Sequence, residues 1–167
     1  MHYNYCPICG LKLIPHEAGD DGFVPYCESC KKFYFDSTSN ASLILIYNEY
    51  DEIVLEKTGY ISDKYWTLVS GFIKVGETAE DAARREAKEE IGLELNDLTY
   101  TGTYYHPKGD VLMHGFIAYT KKKDLVKSSE IDDAKWVKKD EVKDILIPDD
   151  PGNYGYKIYR MFINGKR

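Results

Sequence analysis

Gly71-Phe-Ile-Lys-Val-Gly76-Glu77-Thr78-Ala79-Glu-Asp81-Ala82-Ala83-Arg84-Arg85-Glu86-Ala87-Lys88-Glu89-Glu90-Ile91-Gly92-Leu93 carries the only sustained helical spacing in the middle of the chain. Thr78 is a good N-cap, and Asp81, three residues on, suits both a capping interaction and the positive end of a helix. Gly92 supplies the stop, because glycine readily takes the left-handed cap conformation. The predicted helix runs from Ala79 to Ile91. At about 100° per residue, Glu90 lies about 40° to one side of Glu86 and Glu89 about 60° to the other, so three carboxylates share one face. Ala79 and Ala82 lie among them and leave room for something bulky and charged. Ala83, Ala87 and Ile91 form a flank that packs on a sheet. Such a carboxylate face has two readings. One is a solvated acidic surface relieved by Arg84, Arg85 and Lys88; the other is a site for hard divalent cations, which prefer oxygen ligands.

Outward from this helix the chain alternates short apolar runs with turns. Ala41–Tyr47 and Glu52–Lys57 read as a hairpin around Asn48–Asp51, and Trp66–Val69 as a third strand ending at Ser70-Gly71. Thr99–Tyr105, Met113–Thr120 and Ala134–Val137 are predicted strands, Glu141–Ile145 one or two helical turns, and Asn153–Ile163 a last helix with Gly165 beyond it. Strands alternating with a few helices imply an α/β fold, a mixed sheet with helices on its faces.

The first 35 residues read as a separate unit, with few aliphatic residues at a helix or strand period. Asp36-Ser-Thr-Ser-Asn40 is a polar linker, so the expected division is 1–35 and 36–167. Cys6-Pro-Ile-Cys9-Gly10 and Cys27-Glu-Ser-Cys30 are two C-x2-C pairs separated by 17 residues, the spacing of a four-thiolate zinc site. Two thiolates two residues apart can both reach one tetrahedral ion at about 2.3 Å. With Cys6, Cys9, Cys27 and Cys30 filling all four positions, no place is left for water and the Zn2+ is structural. Tyr26, Phe33, Tyr34 and Phe35 are expected to form the small core of this ribbon. Stacking on bases is the weaker reading, because Lys12, Lys31 and Lys32 face Glu17, Asp20, Asp21, Glu28 and Asp36 in the first 40 residues.

At 167 residues, 43% hydrophobic and 30% charged, the chain has the composition of a soluble globular protein. No apolar run approaches the roughly 20 residues of a membrane span, and no signal-peptide pattern precedes Cys6, so a cytoplasmic location is expected and disulfides are not. A net charge of −6 argues against general affinity for nucleic acid but not against a phosphorylated small molecule bound through a cation.

The segment 71–93 fits the pattern G-x5-E-x7-R-E-U-x-E-E-x-G-U, with U apolar, at every position: Gly71, Glu77, Arg85, Glu86, Glu89, Glu90 and Gly92 are its fixed residues, Ala87 and Leu93 its apolar ones. In this the chain resembles the Nudix hydrolases, and Ala87 is merely small for its place. The resemblance implies an α/β/α sandwich and hydrolysis of a diphosphate linkage in a nucleoside diphosphate derivative with Mg2+ or Mn2+. Carried over, Glu86, Glu89 and Glu90 are metal ligands, with Glu86 also the candidate base. The Ser70 carbonyl is a further ligand, and Glu77 with Arg85 the ion pair locking loop to helix. Glu130-Ile-Asp-Asp-Ala-Lys-Trp136 is similar to the family's acidic segment before a strand tryptophan, which adds Glu130 to the ligands. A ribbon followed by this box is similar to the branch containing NADH pyrophosphatases and enzymes that remove NAD caps from RNA. The run from Leu68 to Thr78 and Leu112-Met-His-Gly-Phe-Ile-Ala-Tyr119 share that likeness. That branch carries S-Q-P-W-x-F-P after the box, whereas here the region reads Thr103-Tyr-Tyr-His-Pro-Lys-Gly-Asp110. Trp66, Tyr104 and Tyr105 are candidates to stack on a base, although tyrosine also favours half-buried sheet positions. His106 is a phosphate contact or a loop residue, and Lys121–Lys123 a solvated turn. The expected partners are a small nucleotide derivative, a capped RNA end at most, and a second copy in a homodimer. ADP-ribose, dinucleoside polyphosphates and nucleoside triphosphates are the alternative substrates, and a non-catalytic ligand sensor is the alternative class.

Overall fold

The computed structural model describes residues 3–59, 61–148 and 153–165. The chain divides into two compact units between Ser39 and Asn40.

In the first unit β1 (Ile14–Glu17), β2 (Phe23–Cys27) and β3 (Lys32–Phe33) form an antiparallel sheet in that order. These strands are too short and too exposed to show an alternating pattern, which is why the sequence gives no period for them. The buried centre is Cys6, Leu13 and Cys27, with Tyr3, Cys30 and Tyr34 packed against it. Of the four aromatics expected in that core, Tyr34 alone joins it. Tyr26, Phe33 and Phe35 line up outside it with His16: the Tyr26 ring centroid lies 4.6 Å from His16 and 4.8 Å from Phe33. The sulfurs have taken the core, so the rings pack along the sheet instead.

The second unit is an α/β/α sandwich around one mixed sheet. Its strands are β4 (Ser39–Tyr47), β5 (Glu52–Lys57), β6 (Val69–Phe72), β7 (Leu98–His106), β8 (Val111–Tyr119) and β9 (Asp133–Lys138). They run in the order β7-β8-β4-β5-β9, with β6 paired to β4. Its helices are α1 (Ala79–Ile91), α2 (Val142–Ile145) and α3 (Tyr154–Ile163). The period-2 alternation of β4 explains the two layers: Leu43 and Leu45 pack toward α2 and α3, while Ile44 and Ile46 pack toward α1. Each such buried aliphatic side chain contributes about 1.5–3 kcal/mol. Among the described residues no helix is long and apolar enough to cross a membrane.

Two boundaries differ from the sequence reading. Ser39 and Asn40, expected in a linker, already belong to β4. The third strand of the domain is shifted: β6 runs through Ser70 and Gly71 instead of ending there, and Leu43 pairs with Ser70 and Ser42 with Gly71. Trp66 and Thr67 make only isolated bridges, to Leu146 and Glu56. Propensity favours Trp66 over Gly71 in a strand, but the ladder with β4 holds Gly71 in place for a steric reason given below.

Candidate active site

Helix α1 is built as its sequence dictates. The Thr78 side chain accepts from the Asp81 N–H at 3.1 Å, Asp81 returns a bond to the Thr78 N–H, and Gly92 closes the helix at φ 73°. Ser42 Oγ donates to the Ala79 carbonyl at 2.7 Å, tying the start of the helix to β4. Ala83, Ala87 and Ile91 are fully buried against the sheet. A larger residue at position 87 would lift the helix from it.

Gly71 lies beneath the helix. A Cβ at this position would stand 2.0 Å from Glu86 Cδ and Oε1, so only glycine admits the Glu86 carboxylate here. Arg85 organises the rest. Its Nε and Nη2 donate to Glu77 Oε1 and Oε2 at 2.6 and 3.0 Å, and Nη2 also donates to the Phe72 carbonyl at 2.9 Å. The Lys74 N–H adds a bond to Glu77 at 2.9 Å. The loop between β6 and α1 is thereby fastened to the helix, and the Arg85 guanidinium with the Lys74 amide holds the Glu77 carboxyl down at about 2. Arg85 Nη1 meanwhile donates to Glu86 at 2.6 Å and Glu89 at 3.1 Å. One guanidinium thus serves three carboxylates.

Glu90 is placed differently. It is buried, its Oε2 has no hydrogen-bond partner, and burial, reinforced by the nearby charges of Glu86 and Glu130, pushes its carboxyl up to about 7. Glu86 is also raised, first by burial, with Arg85 opposing. Glu89 remains half exposed, with Lys74 Nζ 3.8 Å away. Glu130 sits on an exposed loop that is sewn to the end of α1: the Ser128 N–H donates to the Glu90 carbonyl at 2.9 Å and the Val126 N–H to Ile91 at 3.0 Å. The sequence reading missed Glu56. It lies on β5 beside Val54, points to the α1 side, is 1% exposed, and accepts from the Ser70 N–H. Burial and then Glu90 raise its carboxyl well above the usual range. The available signal was its period-2 partnership with Val54, which a charged residue near the end of an apolar run conceals.

On the opposite side of the sheet, under α3, a cavity of about 260 Å³ is lined by Leu43, Leu68, Ser70, His106, Met113 and Tyr154, among others. Ser70 therefore sits between this cavity and the acidic helix. The three aromatics expected to stack on a base do not line it. Trp66 is half-buried under Lys135, whose Nζ is 4.1 Å from the ring centroid. Tyr104 faces the cavity side of β7 but is stacked on Tyr154 at 4.9 Å. Tyr105, one residue on, points to the other face and donates to Asp110 at 3.0 Å. Tyr154 and His106 form the cavity wall instead.

In the ribbon the four sulfurs lie within 4.8 Å of one another, with Cys6 and Cys30 3.8 Å apart and Cys9 and Cys27 3.5 Å apart. A tetrahedron with arms of about 2.3 Å has edges of about 3.8 Å, so the four-cysteine cluster is compatible with zinc. Burial works against a thiolate at Cys6, but the Tyr34 hydroxyl and the Ile8 and Cys9 amides outweigh it and bring the thiol to about 6.

The family model described as the NUDIX domain matches residues 37–158. The chain is 34% identical over 151 residues to a chloroplastic Nudix hydrolase 19 of Arabidopsis thaliana, covering 85% of this chain and 34% of that protein. It is 30% identical over 136 residues to an NAD-capped RNA hydrolase NudC of Pseudomonas aeruginosa, covering 81% and 48%. It spans between a third and a half of the length of these relatives. Among solved structures, a NUDIX hydrolase from Nitrosomonas europaea superposes with a TM-score of 0.75 at 19% identity, covering 98% of this chain and 94% of that one. An Ap4A hydrolase from C. elegans superposes with a TM-score of 0.61 at 26% identity, covering 75% and 96%.

Proposed function

Because the chain belongs to the Nudix hydrolase family, we propose that it hydrolyses the diphosphate linkage of a nucleoside diphosphate derivative with Mg2+ or Mn2+. The donor set fits a hard cation, since every candidate atom is oxygen and the buried Oε2 of Glu90 has no protein partner. Glu86, Glu89, Glu90, Glu130 and the Ser70 carbonyl are the residues that would hold it. Bound there, such ions lower the pKa of water and draw charge from phosphoryl oxygens.

The remaining work falls to the chain itself. Glu86 is the general base: its carboxylate is pressed over Gly71 and oriented by Arg85, so the attacking water meets an acceptor at a fixed place. Arg85 and Glu77 hold the loop and are positioning residues. The cavity beside Ser70 takes the nucleoside, with Tyr154 and His106 at its wall. The observation that carries this reading is the Gly71–Glu86 approach, because a helix with a merely solvated acidic face has no need of it. In the ribbon, Cys6, Cys9, Cys27 and Cys30 hold a structural Zn2+.

The likeness to an NAD-capped RNA hydrolase supports dinucleotides such as NADH, or an NAD-capped RNA end, as first substrates to try. The test is turnover of NADH, NAD-capped RNA, ADP-ribose, dinucleoside polyphosphates and nucleoside triphosphates with Mg2+ or Mn2+, in wild type and Glu86→Gln. The expected result is hydrolysis that Glu86→Gln lowers about 10²–10⁴-fold. No turnover of any of these compounds by the wild type would point to a ligand sensor.

A further inference from the structure

The machinery described above does not use Glu56. Its carboxylate is more deeply buried than Glu86 or Glu90, at 1% exposure against 7% and 6%. A buried carboxylate is normally matched by a cation or by hydrogen bonds at both oxygens. Glu56 has the Ser70 N–H and a contact with another acid, Glu90, while its Oε2 has no partner. Glu90 shows the same deficit: its Oε2 is buried and unpartnered too. No ion pair to Glu56 is present among the described residues. The surroundings offer no relief, since Val54, Val69 and Ile91 pack on the same side of the sheet.

A structural role accounts poorly for this. The bond from the Ser70 N–H accounts for one acceptor position of Glu56, while its Oε2 is buried and unmatched. What the arrangement does supply is two buried, unpartnered oxygens, one on a strand and one on the helix, on side chains that touch each other. Hard divalent cations take such oxygens as ligands. Glu56 is moreover bonded to the N–H of Ser70, whose peptide carbonyl is among the proposed ligands, so strand β6 and Glu56 are set relative to each other.

We propose that Glu56 is a further carboxylate ligand of the divalent-cation site, sharing one cation with Glu90 from the strand side. This rests on reading α1 as a cation site. The experiment is a Mn2+ titration followed by electron paramagnetic resonance, with free ion read directly, on wild type, Glu56→Gln and Glu56→Asp. Thermal unfolding without metal checks that each variant folds. The expected result is that Glu56→Gln loses one bound Mn2+ per chain or binds it at least tenfold more weakly, and that Glu56→Asp, with its carboxylate drawn back, weakens it by a smaller factor. Where Glu56→Gln does not fold, the aspartate variant decides. Mn2+ binding unchanged in the folded variants overturns the proposal and leaves Glu56 as a proton-sharing partner of Glu90. A wild type that takes up no Mn2+ removes the underlying reading of α1 instead, so the two failures are distinct.

Discussion

Cys6, Cys9, Cys27 and Cys30 stand with their sulfurs already gathered within 4.8 Å, whereas Glu86 and Glu89 are tied to Arg85 and Glu90 is turned toward Glu56. The first set has its polyhedron drawn by the backbone, and its four positions are all protein. The second has two of its carboxylates tied to a guanidinium and a third turned toward another acid. A closed set of soft ligands suits an ion that never leaves, and an open set of hard ones suits an ion that must also meet a substrate. The difference teaches that thiols can be gathered by short local spacings alone, while clustered carboxylates need a cation of the protein's own beside them.

The largest effect should come from breaking the first set. Cys27→Ser is expected to drop zinc from about one per chain to near none, removing on the order of 10 kcal/mol of binding free energy that the ribbon uses to fold. Metal analysis and proteolysis of residues 1–39 read the loss, and Mn2+ binding at α1 should survive it. If that binding vanishes as well, the two sites are not independent.

The second set should break by a purely steric change. Gly71→Ala puts a methyl where Glu86 lies and is expected to lower kcat about 10²-fold, as for other displaced catalytic groups, with zinc content unchanged. Activity close to wild type would mean that the Glu86 position is not the working one.

A milder test uses pH. In the metal-free fold the Glu90 carboxyl sits at about 7 and that of Glu56 is raised as well, against about 4.3 in an unfolded chain. Between these values the native state holds more protons, so this pair's contribution to stability is complete below pH about 4 and is lost as pH rises through about 7. Melting in EDTA should therefore show Glu90→Gln gaining on wild type from pH 5 to 8, and Mg2+ should restore the wild type at pH 8. A constant difference between the two proteins across that range would count against the buried acid pair.

The smallest effect concerns the frame. Thr78→Ala removes the cap of α1 and is expected to cost about 1 kcal/mol in chemical denaturation, equally with and without Mg2+. A cost that appears only with the ion would show that the cation, not the cap, sets the start of the helix.

Legibility in the sequence followed the range of the forces involved. Helix α1 was readable to the residue, because Thr78, Asp81 and Gly92 act locally and its buried flank repeats at the helical period. The strand β6 was misplaced by three residues, since the reason for glycine at position 71 is a carboxylate fifteen residues away. Glu56 was invisible for the same reason: its neighbour is Glu90, met only when β5 and α1 pack. Tyr104 and Tyr105 were read as a pair, yet the alternation of β7 sends them to opposite faces, and the wall of the cavity comes from Tyr154, on a helix distant in sequence. The gathering of the four cysteines was legible because each C-x2-C pair is set by local spacing.

Arg85 has one more effect. On the proposed reading, a divalent ion at α1 would share Glu86 and Glu89 with a positive charge already in place, so the mutual repulsion of these carboxylates is lowered before it arrives. The same guanidinium would compete with that ion for both carboxylates, so its two hydrogen bonds lower the ion's hold as well as the repulsion.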